Sequence, residues 1–407
     1  MRRIFNVFKA ALLCAFFSFT ACDDDVAEPT DETAAAIEIS CDYFSENENA
    51  VLVDNANAPI DYIIDCLVSI GDDVKIEPGV TIAFEQGAGF KVMSDGSLNA
   101  VGTTENPITL TATDEQKGWW RGIEFFSTNN RNKISHAIIE YAVSGGSTIN
   151  GEAAIAISNS ASLELIHTTI QNSSENGLFI ETRGISGSDE DRIEAITLQG
   201  NTYTENKFPV SIPFYMIGNL DANDDYSGNE QDNVIIHSSQ MSGVSISMHA
   251  LNVPYQSTGN LHLSSDDNAT HLTIEAGAEL EMAAGSNFIV FGGTNYLTAT
   301  GTATEPIIIR GADQSPGSWE NLRYRRSGPA NHNILEHVQI SHARSDVNNH
   351  SGALNLDFVT NTLKLVLNEV HFSEIAGTNC PIEYSGDLSG LTHSNLSDDE
   401  GELPGCL

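Results

Sequence analysis

The chain has 407 residues, 40% of them hydrophobic and 7% aromatic, so it is long enough to bury a large apolar core. It carries 56 Asp and Glu residues against 18 Lys and Arg residues, a formal net charge of −38 at pH 7. A surface this acidic repels phosphate backbones and argues against nucleic acid as a partner. The 33 glycines and the Val, Ile, Leu, Phe and Thr residues are spread along the chain, which excludes a free coiled coil and intrinsic disorder.

The first residues of the chain have the composition of an export signal. A short basic stretch, residues 1–9, precedes an apolar run over residues 10–19. That run is too short to span a bilayer, which needs about 20 apolar residues. Residues 1–21 are therefore predicted to be a secretory signal peptide that the mature protein lacks.

Cys22 follows the small residues Thr20 and Ala21, a pattern that resembles the lipobox of bacterial lipoproteins, although Phe19 replaces the usual Leu. The resemblance implies cleavage before Cys22 and lipidation of its thiol and new amine. An ordinary signal peptide cleaved near Ala21 is the alternative. The acidic residues 23–25 resemble the export signal of surface lipoproteins in Bacteroidota. The resemblance thus implies an outer-membrane protein that faces outward and contacts the membrane through its lipid anchor.

The stretch after the predicted cleavage site is polar. Residues 22–40 are rich in Asp, Glu, Ala, Pro and Thr. Such a composition does not bury enough apolar surface to build a core. We therefore predict that residues 22–40 form an acidic, flexible tether between the anchor and the folded part.

Two parts of the chain repeat each other at an offset of about 200 residues, which indicates a tandem duplication. We place the first copy at residues 58–252 and the second at residues 253–384. The matching segments are 74–84 with 272–282, 102–110 with 301–309, 136–142 with 337–343 and 165–170 with 365–370, together with Gly118, Trp120 and Ile123 with Gly317, Trp319 and Leu322.

Within each copy, apolar and polar residues alternate over short runs, as at Val80, Ile82 and Phe84. Such runs predict short, half-buried strands. Gly, Asn, Asp and Ser clusters separate them, and helical spacing is nearly absent. A β-sandwich would have longer strands joined by hairpin turns, whereas stacked Asn and Ser corners are typical of parallel solenoids. We therefore predict an all-β parallel β-helix, with an N-terminal cap at residues 41–57 and a C-terminal cap at residues 385–407.

Three motifs resemble right-handed parallel β-helix lipoproteins of Bacteroidota over roughly residues 58–384. They are the string at residues 76–84, the Gly-Thr-x-x-x-Pro-Ile motif at residues 102–108, and a Gly-x-Trp block before residues 138–142. The resemblance implies a right-handed β-helix. It leaves the activity open, because the wider β-helix superfamily includes polysaccharide lyases, pectinases and adhesins.

A basic cluster is the only candidate for lyase chemistry. A lyase needs a base to remove the C5 proton and a cation to stabilise the carboxylate. Arg323, Arg325 and Arg326 are the candidates, and Arg323 and Arg325 would share one strand face; salt bridges to the surrounding acids are the alternative. The Gly-His-Gly and Arg-x-Lys strings of pectinases are absent from the sequence.

An acidic segment offers oxygen ligands at alternate positions, as calcium loops do. Its candidate ligands are Asp221, Asn223, Asp225 and Ser227. Tyr226 stands where a calcium loop has its glycine, and the terminal Glu is missing. A calcium site and a solvated acidic loop therefore both remain open.

Trp120 and Trp319 occupy equivalent places in the two copies, which predicts a packing role. Trp119 has no counterpart and lies beside Arg121, so this pair is a candidate for stacking on a sugar ring; partial burial is the alternative.

The histidines could bind a metal ion or could have a structural role. His136 repeats at His337, which predicts a structural corner, and His337 and His342 are expected on opposite faces of a strand because they are five residues apart.

The cysteines predict two disulfide bonds. The chain has six cysteines, of which Cys14 leaves with the signal and Cys22 carries lipid. The other four lie in pairs before the first clear repeat and after the last: Cys41, Cys66, Cys380 and Cys406. Because disulfides persist in oxidising compartments and solenoid ends need protection, we predict Cys41–Cys66 and Cys380–Cys406 bonds. Four free thiols are the alternative.

Two functions remain open at this stage. The first is a lipid-anchored binding, adhesion or scaffold protein that presents its surface to a glycan or a surface protein. The second is a polysaccharide-degrading enzyme of the lyase type on the same fold. No complete catalytic set is visible in the sequence, so we favour the first.

Overall fold

The computed structural model describes residues 34–143, 145–182, 189–265, 268–325, 333–345, 352–357, 364–377, 380–386, 388–403 and 406, all within one compact unit, residues 34–407. The predicted signal peptide, Cys22, the acidic residues 23–25 and Arg326 lie outside the described residues. Strands make up 48% of the structure and helices 5%, so the fold is all-β, as predicted. No helix among the described residues is long and apolar enough to cross a membrane.

The first half of the chain consists of short strands and three short helical segments. The helices are α1 (Tyr43–Glu46), α2 (Asp189–Glu194) and a 3-10 helix (Phe214–Asn219). The strands are β1 (Ile37–Ile39), β2 (Val51–Leu52), β3 (Tyr62–Ile64), β4 (Leu67–Ile70), β5 (Asp73–Ile76), β6 (Thr81–Phe84), β7 (Gly89–Val92), β8 (Ser97–Val101), β9 (Ile108–Ala112), β10 (Ile123–Phe125), β11 (Lys133–Ser135), β12 (Ala137–Glu140), β13 (Ala153–Ile157), β14 (Leu163–Ile166), β15 (Thr169–Gln171), β16 (Asn176–Ile180), β17 (Ile196–Gln199), β18 (Thr202–Thr204) and β19 (Phe208–Pro213).

The second half continues in the same way, with two longer strands. The strands are β20 (Val234–His237), β21 (Ser239–Met241), β22 (Ser245–Met248), β23 (Tyr255–Ser257), β24 (Leu261–Ser264), β25 (His271–Ile274), β26 (Glu279–Met282), β27 (Asn287–Phe291), β28 (Tyr296–Thr300), β29 (Ile307–Gly311), β30 (Asn321–Arg325), β31 (Asn333–Ser341), β32 (Arg344–Ser345), β33 (Leu354–Asp357), β34 (Leu365–Ser373), β35 (Ala376–Gly377), β36 (Ile382–Ser385), β37 (Leu391–Ser394), β38 (Ser397–Asp398) and β39 (Gly401–Glu402).

Most of these strands form five parallel ladders, in which a strand usually pairs with the third strand after it; β32 and β35 form a separate pair, and β39 pairs antiparallel with β38. Ladder A is β1-β3-β6-β9-β12-β15-β18, and ladder B is β2-β5-β8-β11-β14-β17. Ladder C runs β4-β7-β10-β13-β16-β19-β20-β23-β26-β29 and on through β31 and β34 to β38. Ladder D is β21-β24-β27-β30-β33-β36, and ladder E runs from β22 through β25, β28, β31 and β34 to β37. Parallel neighbours need a long connection, and the intervening strands supply it.

The alternation seen in the sequence sets which side chains enter the core. In β9, Ile108 and Leu110 are fully buried, whereas Thr109 and Thr111 lie on the outer face. Full burial of one such aliphatic side chain stabilises the fold by about 1.5–3 kcal/mol. The core is continuous from β1 to the C-terminal strands, because one hydrophobic cluster extends from Ile39 to Leu396.

The chain turns between ladders at single residues in the left-handed conformation. His136, His167 and Gly200 occupy one such corner, with φ values of 49°, 47° and 65°. His337 and Glu369 repeat the corner inside β31 and β34, which is why these two strands each join ladder E to ladder C. A left-handed residue turns the strand without a longer loop.

Asparagine side chains cross-link neighbouring turns of chain, as the Asn-rich corners predict. Asn132 accepts a hydrogen bond from the Leu98 backbone N–H (3.1 Å) and donates to the carbonyls of Ser127 and Ser162. Asn333 accepts the equivalent bond from Leu297 N–H in the second copy (3.0 Å). These buried amides satisfy backbone groups that the strands leave unpaired.

The predicted tether is partly wrong. The last residues of the 22–40 segment form β1, which pairs in parallel with β3 through Ile37, Glu38 and Ile39. Ile39 is only 2% exposed. The alternation of Ile37 and Ile39 is a strand pattern, and it outweighs the polar composition of the stretch around it.

The structure forms both predicted disulfide bonds. Cys41 is bonded to Cys66, with a Cα–Cα distance of 5.9 Å, and Cys380 is bonded to Cys406, with a Cα–Cα distance of 5.5 Å. The first bond ties the segment before α1 to the start of β4. Phe44 of α1 is buried and packs against Phe90 of the core (6.2 Å between ring centroids).

Candidate functional site

The structure places the two described arginines of the basic cluster on one outer face, as predicted. Arg323 Nη2 lies 2.8 Å from Asp357 Oδ2, and Arg325 Nε lies 3.8 Å from the same oxygen. Arg325 also lies over the Phe291 ring. Asp357 offsets one of the two positive charges, and Arg323 is bonded to it rather than open to a substrate carboxylate.

The acidic loop is held together by its own hydrogen bonds. Asp221 Oδ1 accepts bonds from the backbone and side chain of Asn223, and the pKa of Asp221 is lowered chiefly by the backbone bond. Asp225 Oδ1 accepts bonds from the backbone and hydroxyl of Ser227, which lower its pKa. Asp224, between them, is 4% exposed, and burial raises its pKa to about 6. The predicted ligands Asp221, Asn223, Asp225 and Ser227 thus bond to one another in a solvated turn.

Trp119 and Arg121 both contact other residues of the fold. Trp119 is half-buried against the core, and its indole N–H donates to Thr113 Oγ1 (3.0 Å). Arg121 donates to the Gly146 carbonyl and lies 3.6 Å from the Glu124 carboxylate, whose side chain is 3% exposed. The pair therefore does not form an open surface on which a sugar ring could stack.

Arg121 and Glu124 instead anchor a loop, residues 145–152, over the outer face of ladder C. The Glu124 carboxylate accepts bonds from the Thr148 backbone N–H (3.0 Å) and hydroxyl (2.7 Å). A second, small hydrophobic cluster lies beneath the loop; it consists of Ile149, Ala153, Ala156 and Phe179, with Phe126 packed against it. Gly151 contacts the Phe179 ring so closely that a Cβ would come within 2.3 Å of it.

A cleft of about 340 Å³ opens beside this loop. We refer to it as the His237 cleft; its lining residues are Asn150, Phe179, Glu181, Thr182, His237, Ser238 and Thr258. The elements that meet here are the loop, the ends of β16 and β20, and the segment after β23. The parallel register brings them together, because Phe179 pairs with Ser211 and Pro213 pairs with His237.

His237 lies at the centre of the cleft wall with both ring nitrogens bonded to hydroxyls. Ser211 Oγ is 2.7 Å from Nε2, and Thr182 Oγ1 is 3.0 Å from Nδ1. Burial lowers the pKa of His237 to about 4, so the ring is neutral at pH 7. A neutral imidazole donates through one nitrogen and accepts through the other, so one hydroxyl accepts and the other donates.

The Ser211–His237 distance matches that of a nucleophile and its base. Ser211, however, is 5% exposed and does not line the cleft. Its hydroxyl therefore fixes the orientation of the His237 ring.

The rest of the cleft offers neutral amides and hydroxyls around one carboxylate. Glu181 accepts bonds from Asn150 Nδ2 (2.8 Å) and the Asn159 backbone N–H (3.2 Å). The His237 and Phe179 rings lie 5.0 Å apart. An apolar ring surface with fixed polar groups around it suits a sugar: its C–H face packs on the ring and its hydroxyls bond to the amide and carboxylate.

The sequence did not reveal this cleft, because its residues come from four separate segments. No motif links Asn150 to His237, and only the strand register places them together. The repeat gave no signal either, because the second copy has a segment of the same length between Ala343 and Leu354.

The described residues contain one group of three potential metal ligands close together: Cys41, Asp65 and Cys66. The two thiols of this group form the first disulfide bond, so it is not a metal site.

No protein-family model, curated protein or solved structure matches the chain.

Proposed function

We propose that this chain is a lipid-anchored protein of the bacterial outer-membrane surface that binds a neutral glycan in the His237 cleft. In this proposal the ladders form the three faces of a right-handed parallel β-helix built by tandem duplication: ladder C runs through both halves, A and B belong to the first half, and D and E to the second. Cys22 carries the anchor. The parallel pairing of every third strand and the left-handed corners support such a helix. An adhesion or scaffold role would use the same anchored surface.

The observation that carries the proposal is that most of the described Lys and Arg side chains lie close to a carboxylate. Lys or Arg side chains lie within 4 Å of a carboxylate in these pairs: Lys75–Glu77, Lys117–Glu230, Arg121–Glu124, Arg131–Asp73, Lys133–Glu164, Lys207–Glu175, Arg310–Glu281, Arg323–Asp357, Arg325–Asp357 and Arg344–Glu320. Exposed pairs of this kind add little stability. They do reduce the positive surface that a uronic-acid polymer requires, and the excess of acids repels such a polymer.

The same observation weighs against the alternative, a polysaccharide lyase. A lyase would need a cation for the uronate carboxylate and a base beside its C5 proton. Arg323 is bonded to Asp357, Arg325 lies 3.8 Å from the same carboxylate, and both nitrogens of His237 are bonded to hydroxyls. Glu181 in the cleft would repel a uronate, whereas it accepts hydrogen bonds from the hydroxyls of a neutral sugar.

A glycan array tests this proposal. The protein, extracted from membranes in detergent, is applied to neutral and uronic-acid glycans, and uronic-acid polymers are assayed in parallel for new double bonds by ultraviolet absorbance. We expect binding to neutral glycans, no binding to uronates and no absorbance change. Cleavage of a uronic-acid polymer would establish the lyase alternative, and binding to none of the glycans would contradict the proposal.

A further inference from the structure

A second cleft lies at the left-handed corner between ladders B and A. It has a volume of about 410 Å³, and its lining residues are Thr103, Thr104, Pro107, His136, Ala137, Ile138, His167 and Thr169. Because β11 pairs with β14 and β12 with β15, the corner residues His136 and His167 are stacked directly upon each other. We propose that these two imidazoles bind one tetrahedral divalent metal ion of the zinc type.

The distance between the two rings fits a shared ion. Two imidazoles bound to one tetrahedral ion at a metal–nitrogen distance of about 2.1 Å have ring centroids about 5.2 Å apart. The centroids of His136 and His167 are 5.1 Å apart, and the ring planes are inclined by 55°.

The hydrogen bonds of the corner leave the same nitrogen of each ring for a metal. His136 Nδ1 is bonded to Ser135 Oγ (2.9 Å). The Nδ1–Cε1 edge of His167 faces Gly200, where a Cβ would lie 2.3 Å from Nδ1. Both Nδ1 atoms are therefore turned toward the protein, and the Nε2 atoms are left as ligands, the arrangement in which one ring nitrogen is oriented and the other binds metal.

The residues around the two imidazoles favour a metal ion of intermediate softness that keeps some coordination positions for water. Imidazole suits Zn²⁺, Cu²⁺ and Ni²⁺, whereas Ca²⁺ and Mg²⁺ prefer carboxylate oxygens. Thr103, Thr104 and Thr169 line the cleft, so water completes the coordination in this polar surrounding. The acidic net charge of the chain raises the local concentration of any cation.

The second copy of the repeat provides a matched control. His337 occupies the same corner with the same φ of 49°, but the residue stacked on it is Glu369. The Glu369 carboxylate accepts a bond from Asn395 Nδ2. This corner therefore has one imidazole where the first copy has two.

Metal titration of the detergent-extracted protein tests the proposal. Co²⁺ reports tetrahedral geometry through its visible absorption, and Zn²⁺ affinity is measured by displacing Co²⁺. The variants are His136→Asn and His167→Asn, with His337→Asn as the control, because Asn tolerates the left-handed conformation. Circular dichroism without metal confirms that each variant is folded.

We expect one tetrahedral Co²⁺ per chain, displaced by Zn²⁺, and an affinity loss of at least about tenfold in His136→Asn and in His167→Asn. The His337→Asn variant should bind as the wild type does. Wild-type affinity in either first-copy variant, an octahedral Co²⁺ spectrum, or an equal loss in His337→Asn would overturn the proposal.

Discussion

Ile108 and Ile307 occupy equivalent positions in the sequence repeat, but they lie in different ladders. Ile108 begins β9 in ladder A and pairs with Ala137, whereas Ile307 begins β29 in ladder C and pairs with Val338. Ladder C contains β7 and β10 in the first copy, not β9. The second copy is therefore displaced by one ladder relative to the first.

The last part of the first copy explains this displacement. After β19 in ladder C, the 3-10 helix Phe214–Asn219 and the residue Asp225, which bridges to Thr202 of ladder A, replace two strands before β20 returns to ladder C. Each turn of the chain contributes three strands, so equivalent strands of the two copies would share a ladder only if a multiple of three strand positions separated them. The positions replaced here break that condition. The two copies share corners such as His136 and His337, whereas the segments at the end of the first copy decide which ladder each later strand joins.

The two buried tryptophans should make equal contributions to stability. The indole N–H groups of Trp120 and Trp319 donate to the carbonyls of Glu140 (2.7 Å) and Ser341 (2.8 Å), and both residues are fully buried. Trp120→Phe and Trp319→Phe each remove this bond and part of the packed ring. We expect each to lower the free energy of unfolding by about 2–3 kcal/mol, measured by urea unfolding. A loss confined to one variant would contradict the structural equivalence.

The C-terminal disulfide bond should stabilise the folded state. Cys380 and Cys406 are 26 residues apart, a loop for which the chain-entropy model gives about 3–4 kcal/mol. The Cys380→Ser/Cys406→Ser double variant should therefore unfold at a lower urea concentration than the wild type. Non-reducing peptide mapping is the direct check; a Cys41–Cys406 peptide would show that the pairing is wrong.

The half-buried His237 should make stability depend on pH. Its pKa is about 4 in the folded state and near 6.5 in an unfolded chain. The stability that the neutral ring contributes is present above pH 6.5 and is lost as the pH falls toward 4. The glutamine of His237→Gln does not titrate, so the variant should not show this loss. The free energy of unfolding of the wild type should therefore fall relative to that of the variant by up to about 3 kcal/mol from pH 7 to pH 4. Parallel stability curves would mean that His237 is not buried as a neutral ring.

The proposed anchor is tested by fractionation. Cys22→Ser removes the thiol that carries the lipid, so the variant should move from the membrane fraction to the soluble fraction. Protease added to intact cells should digest the wild-type protein if residues 23–25 direct it to the outer surface. Identical fractionation of wild type and variant would disprove the lipid anchor.

The sequence predicted the all-β class, the two disulfide bonds and the buried tryptophans, because alternation, cysteine spacing and repetition are local signals. The alignment of the two copies was wrong by two residues near the end of the second copy. Leu165 was matched to Leu365, but both Leu165 and Leu367 precede their corner residue by two positions and pair with the equivalent Ile134 and Leu335. A slip of two residues keeps every side chain on its face, so alternation does not detect it.

The predicted placement of His337 and His342 was wrong for a related reason. His337 and His342 were expected on opposite faces of one strand, but both are left-handed residues, with φ values of 49° and 61°. Strand alternation does not apply across a corner. The His237 cleft was not predicted because long-range register, rather than any local pattern, assembles it.

Glycan binding by cleft variants tests the central claim most directly. A neutral oligosaccharide identified on the array is titrated calorimetrically into the wild type, Asn150→Ala, Glu181→Gln and Arg323→Gln. Loss of a hydrogen bond to the sugar costs about 1–2 kcal/mol, so the account predicts a roughly tenfold weaker Kd in each cleft variant and no change in Arg323→Gln. Unchanged affinity in both cleft variants, or loss of binding in Arg323→Gln alone, would contradict it.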